Sequence, residues 1–203
     1  KAEYSRWLGS RDYRDTAEIS TPTGSGTIDK GSGNLTYANT DFEINTGVMG
    51  LSLTRTYNSQ SDKQGMFGNG WYDSFHRELY HVGDQVVFQD SDGSCLAFEK
   101  NGDSYTCEET KEYTLEEEPE EQEKTYELEE KTEARETQET VKKTISYQWT
   151  LMDKDQNITR FDANGTMVSQ EDANGNFLLY EMDETGLLKT ETTDKNQFLK
   201  MQY

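Results

Sequence analysis

FDANGTMVSQEDANGNFLLY, residues 161–180, is the stretch whose reading decides the fold. Two identical DANG tetrapeptides, at 162–165 and 172–175, frame a short alternating run. Asp and Asn side chains bond to backbone two residues on, and Gly accepts positive φ. Asn164-Gly165 and Asn174-Gly175 are therefore expected to form hairpin turns of the mirror-image type. The same design continues on both sides. DANG at 162 is answered by DETG at 183–186, 21 residues later, and DANG at 172 by DKNQ at 194–197, 22 residues later. Upstream, Gln148, Trp149, Thr150 and Leu151 lead into DKDQN at 153–157. Each unit of about 21 residues reads as one hairpin, with Asp162, Gly165, Asp172, Gly175, Asp183 and Gly186 as its turn residues. A lone hairpin is marginal in water, so each needs its neighbours. The sequence thus predicts an all-β chain: a curved antiparallel sheet of consecutive hairpins.

Composition agrees with a half-wetted sheet. The chain has 203 residues, of which 31% are hydrophobic, with 20 basic and 40 acidic residues and a formal net charge of −20. Such values often mean disorder, but aromatics make up 11%, with 12 Tyr and 3 Trp, and Pro occurs only twice. Disordered chains are poor in aromatics, whereas Tyr, Thr and Gly suit short strands and tight turns. The charge would repel phosphates, which argues against nucleic-acid binding. No run of 18 apolar residues exists, so no membrane span is expected. The start, KAEYSRWLGS, has neither an initiator Met nor an apolar signal core, which suggests a piece cut or processed from a longer protein.

The acid is concentrated. Residues 108–143 carry 15 Glu and no Asp, against 6 Lys or Arg. This Glu-rich island reads as a solvated insertion. Tyr113 and Leu115 alternate with polar residues, as do Tyr126 and Leu128. A hairpin folded about Glu120 and Glu121 would set Tyr113 opposite Leu128 and Leu115 opposite Tyr126. The chain therefore divides into an N-terminal extension (1–30), a β module (31–107), the acidic insertion (108–144, an extended hairpin or flexible) and repeat hairpins (145–203).

The pattern Tyr/Phe-Asp-x-x-Gly, a strand, then Asp-x-x-Gly-Asn resembles the YD repeat of Rhs proteins. Met182, in place of the aromatic, and Gln197, in place of Gly, depart from it. GNLTYANTDFEI (33–44), LSLTRTYNSQ (51–60) and FGNGWYDSFHREL (67–79) resemble the module that precedes the repeats in Rhs and wall-associated polymorphic toxins. VVFQDSDGSCLAFEKNGDSY (86–105) fits the strand and turn that follow, and EYSRWLGSRDYRD (3–15) is similar to the opening of wall-associated relatives. The resemblance implies a non-catalytic structural part of a β-shell that encloses a C-terminal toxin. Its partners would be the rest of its own shell and that toxin. It implies a protein that is secreted or at the bacterial cell surface, with no cofactor.

Other residues are candidates for chemistry or for structure. Gly68, Gly70 and Trp71 are expected to be structural: a glycine of positive φ beside an aromatic that plugs the sheet. Cys95 and Cys107 flank a hairpin whose loop, Lys100 to Gly102, would set them opposite one another. A cross-strand disulfide and two thiols are both compatible with that spacing. His76 and His81 cannot make a three-His metal site, and Ser74 and Asp84 beside them lack a nucleophile elbow. DKDQN fails as an EF-hand, leaving Asp153, Asp155 and Asn157 as a weak calcium candidate or a plain turn. Three alternatives stay open: a module binding carbohydrate or cell-surface glycans through exposed aromatics, a glycosidase using two close carboxylates, and a calcium-stabilised adhesin.

Overall fold

The structure, a computed structural model, describes residues 8–10, 14–45, 49–102, 104–130 and 139–202. Among these there are eighteen strands and no helix, in curled antiparallel sheets. The chain divides into two compact units.

The first unit comprises residues 1–43, 52–99 and 107–109. It contains β1 (Thr16–Thr21), β2 (Gly24–Asp29), β3 (Leu35–Ile44), β4 (Leu51–Asn58), β5 (Gln64–Gly65), β6 (Gly68–Asn69) and β7 (Trp71–Asp73). β1, β2, β3, β4 and β7 form one sheet in that order, and β5 pairs with β6. β8 (Glu78–Val82), β9 (Gln85–Gln89) and β10 (Cys95–Asn101) follow as a meander. Val86, Val87, Phe88, Leu96 and Phe98 are buried in it. Both faces of β9 are apolar, which explains its continuous VVF run.

The second unit comprises residues 44–51, 100–106 and 110–203. Its strands are β11 (Ser104–Cys107), β12 (Tyr113–Glu130), β13 (Glu139–Asp153), β14 (Ile158–Phe161), β15 (Met167–Glu171), β16 (Phe177–Met182), β17 (Leu188–Thr193) and β18 (Phe198–Lys200). From β11 to β18 each strand pairs with the next. Consecutive hairpins are therefore the fold, as the repeat predicts.

The acidic island differs from expectation. It does not turn at Glu120 and Glu121. β12 runs on for 18 residues and pairs with β13, so Tyr113 faces Asp153, Leu115 faces Leu151, Tyr126 faces Lys143 and Leu128 faces Val141. Residues 131–138, between these two strands, lie outside the described residues. What the symmetric spacing marked instead is a register shift between Glu117 and Gln122. A bulge bends its strand and increases twist. Beyond it the hairpin is an arm laid on the face of β14 to β17. Tyr126 and Leu128 pack with Phe177 and Leu179, joined by Val141 and Ile145. Alternation did the rest: Glu123, Thr125 and Glu127 point to water while Tyr126 and Leu128 are buried. The insertion is solvated on one face only.

Candidate functional site

The repeat turns share one geometry. At Asp162 the backbone N–H donates to Thr166 O (2.9 Å), and Gly165 N–H donates back to Asp162 O (3.0 Å). Asp162 Oδ1 accepts from Asn164 N (2.9 Å) and Thr166 N (2.8 Å). Asp172 repeats this with Asn174 and Asn176, and Asp183 with Thr185 and Leu187. Gly165, Gly175 and Gly186 have φ of 82°, 84° and 81°. Asn164 and Asn174 are not among the positive-φ residues. The expected mirror-image turn is therefore corrected: only the fourth residue is left-handed, which is a type I turn closed by a left-handed residue. The form also occurs where Gly is missing. Gln156 (φ 64°) and Asn196 (φ 55°) take the left-handed position. In the last turn Thr193 Oγ1 accepts from Lys195 N and Gln197 N. That turn starts one residue earlier than DKNQ suggests.

These bonds shape the carboxylates. Burial would raise Asp172, but hydrogen bonds from Asn176 and Asn174 outweigh it and lower its pKa. The Thr185 hydroxyl is the main cause lowering Asp183. Asp153 likewise accepts from Asp155 N, Asn157 N and Asn157 Nδ2, so its oxygens cap a turn. Among the described residues, no group of three or more His, Cys, Asp or Glu is arranged to hold a metal.

The arm is pinned by a polar knot. Glu171 Oε2 accepts from Lys124 Nζ (2.7 Å) and Arg160 Nη1 (2.9 Å). Arg160 Nη1 also donates to the Tyr126 hydroxyl (3.0 Å), which donates to Ser169 Oγ (3.1 Å). Burial raises Glu171, yet its two cations pull its pKa below the usual carboxylate range. Glu191 has no such pair. It is 2% exposed, its Oε2 has no hydrogen-bond partner, and burial pushes its pKa up to about 7 against the Tyr180 hydrogen bond.

In the first unit the organising group is one that the sequence reading did not single out. Asn58 is 0% exposed. Its Oδ1 accepts from Gly9 N (2.7 Å), Asn34 Nδ2 (2.9 Å) and Thr36 Oγ1 (3.3 Å), and its Nδ2 donates to Asp92 O (2.8 Å). Asn34, also fully buried, accepts from Gln60 N. A buried amide must satisfy both ends, and this one does so with four partners. The GNL and TYNS segments thus meet through their asparagines. The signal available was Asn where the alternation of β4 wants an apolar side chain.

The structure places the remaining candidates as follows. Gly70 has φ 77°, and a Cβ there would lie 2.8 Å from Asn58 O and 2.9 Å from the Tyr57 ring. Gly68 has φ 108°. Trp71 is half-buried and lies against Tyr57, so it does not plug the sheet; the buried aromatic is its neighbour Tyr72. Arg55 lies over the rings of Phe67 and Trp71 and is held by Asp41. Cys95 and Cys107 stand as thiols, and Cys95 pairs across the ladder with Gln89. Gly102 is left-handed, though β10 runs on to Asn101. His76 Nδ1 meets Asp73 Oδ1 at 2.6 Å, and Ser74 Oγ donates to Ser52 O. Trp149 is buried against Tyr105; Trp7 lies outside the described residues.

A family described as "Domain of unknown function (DUF6531)" matches residues 25–98, which include Asn34, Asn58, Gly70 and Asp92. The chain is 29% identical over 101 residues to the tRNA nuclease WapA of Bacillus subtilis strain 168. It is equally similar to a tRNA3(Ser)-specific nuclease WapA of Bacillus spizizenii. The aligned stretch is half of this chain and 4% of each relative. No helix among the described residues is long and apolar enough to cross a membrane.

Proposed function

We propose that this chain is a non-catalytic structural part of a β-shell that encloses a C-terminal toxin, in a secreted or cell-surface polymorphic toxin of the Rhs type. One observation carries the reading. From β11 to β18 every strand pairs with its successor, and from β13 onward the same five-residue turn joins them. Such a ribbon grows by adding units and makes wall, since each hairpin is paired along its edges with its neighbours. The likeness to nucleases of which the matched stretch is 4% supports it: this part is wall and the toxin lies elsewhere in the longer protein.

The test is protease protection in the longer protein that carries this stretch. The toxin segment is expected to resist cleavage until denaturant opens the wall. Cleavage of that segment in the folded protein would overturn the reading, as would hydrolysis of tRNA or polysaccharide by the 203-residue chain alone. Glycan binding is a second reading, favoured by the half-buried Tyr57, Phe67 and Trp71, but Arg55 already covers two of those rings. Saturable binding on a glycan array, abolished by Trp71→Ala, would favour it over the wall.

A further inference from the structure

Residues 8–10 belong to no strand, yet Gly9 and Ser10 are held by groups 27 to 82 residues away in the chain. Gly9 N–H donates to Asn58 Oδ1 (2.7 Å), and Gly9 O accepts from Thr36 Oγ1 (3.2 Å). Ser10 N–H donates to Asp92 Oδ2 (2.9 Å), and Arg14 Nη1 donates to Leu8 O (3.3 Å). Apart from Arg14, which precedes β1, these groups sit on β3, β4 and the turn after β9, and two of them, Thr36 and Asn58, are buried. Side chains holding a short backbone segment in this way is how proteins bind peptides. A sheet would use its own ladder.

The fit selects glycine. Gly9 has φ 72°, a region that L side chains rarely enter. A Cβ there would lie 2.5 Å from Ser94 Cβ, 2.7 Å from Asp92 Oδ2 and 2.7 Å from Ser94 N. Ser94 and Asp92 are themselves tied, since Asp92 Oδ1 accepts from Ser94 N (2.8 Å). They cannot yield cheaply. Leu8, buried to 7% exposure, adds an apolar anchor one residue before.

We propose that Asn58, Thr36, Asp92, Ser94 and Arg14 form a recognition cradle for a Leu-Gly-Ser peptide. The cradle is filled in cis by the chain's own strap and is able to take the same peptide from another chain. The claim does not depend on the shell reading. Because the strap adds no strand to the sheet, it leaves without unfolding the unit; local opening of this kind is the ordinary route of exchange.

The test uses the full chain. A Gly9→Val variant ejects its strap and leaves the cradle intact. It is expected to bind a fluorescein-labelled peptide of residues 4–12 saturably, and at least tenfold more tightly than the wild-type chain, whose cradle is occupied. A peptide carrying Gly9→Ala should bind at least tenfold more weakly than the native one. Equal binding of the two peptides, or no binding by a variant whose circular dichroism matches wild type, overturns the proposal. If Gly9→Val fails to fold, hydrogen exchange on the wild-type chain decides. The Gly9 and Ser10 amides are expected to exchange at least a hundredfold faster than that of Leu53. Exchange at the same rate would make the strap part of the fold and not a ligand.

Discussion

The repeat turns of the second unit and the Asn58 cluster of the first meet the same demand by opposite means. Both must satisfy polar groups where strands end or cross. Each turn does so within five residues, one side-chain oxygen capping two amides beside it. The Asn58 side chain does so across distances of 49, 24, 22 and 34 residues. Local caps are separable and can be copied along a chain, so losing one leaves the others intact. A buried long-range hub is not separable. Removing it strands several donors and acceptors at once, in a place water does not reach.

That contrast is sharpest at Asn58. Asn58→Ala leaves Gly9 N, Asn34 Nδ2 and Asp92 O short of a partner. It is expected to cost about 3–5 kcal/mol, enough to lose cooperative melting of the first unit. A urea midpoint unchanged within error would show that the hub does not hold that unit together.

A smaller effect separates two glutamates of the second unit. Glu171 is held ionised by Lys124 and Arg160, so its contribution is present at neutral pH and is lost as pH falls below the ordinary carboxylate range. Glu191 runs the other way. Unfolded, it releases its proton near 4.5; folded, near 7, so stability falls as pH rises between those values. Glu191→Gln is expected to be nearly neutral at pH 4.5 and to stabilise by about 3 kcal/mol or less at pH 8. Thermal melts of both proteins across that range measure it. Parallel curves would mean that Glu191 binds its proton equally well folded and unfolded.

The smallest effect belongs to a single turn. Asp172→Ala removes a cap from one hairpin and is expected to cost about 1 kcal/mol, with Asp172→Asn, which keeps an accepting oxygen, closer to wild type. A loss matching that of Asn58→Ala would erase the distinction between local and long-range anchoring.

Legibility follows the same line. Asp162, Gly165, Asp172, Gly175, Asp183 and Gly186 were readable because their chemistry is complete within a few residues. The turn type is not legible there, since an Asn-Gly pair fits two loop designs and only the closing bonds distinguish them. The island's hairpin was readable as strand, but its centre was not. Symmetric Tyr and Leu positions fit more than one register, and the partner of β12 is chosen by packing of Tyr126 and Leu128 on Phe177 and Leu179. FGNGW marks Trp71 as the aromatic beside the left-handed glycine, whereas burial goes to its neighbour Tyr72.

By itself, then, the sequence determined the all-β class, the hairpin ladder and the residues of its turns, because alternation and Asp-led turn chemistry act between near neighbours. Only the tertiary structure decided that the acidic arm shifts register between Glu117 and Gln122 and lies on its own sheet. Only it showed that the Asn34 amide donates to Asn58 Oδ1, and that residues 9 and 10 are held by Thr36, Asn58 and Asp92. Those outcomes rest on which distant groups desolvate together, and no spacing along the chain encodes that.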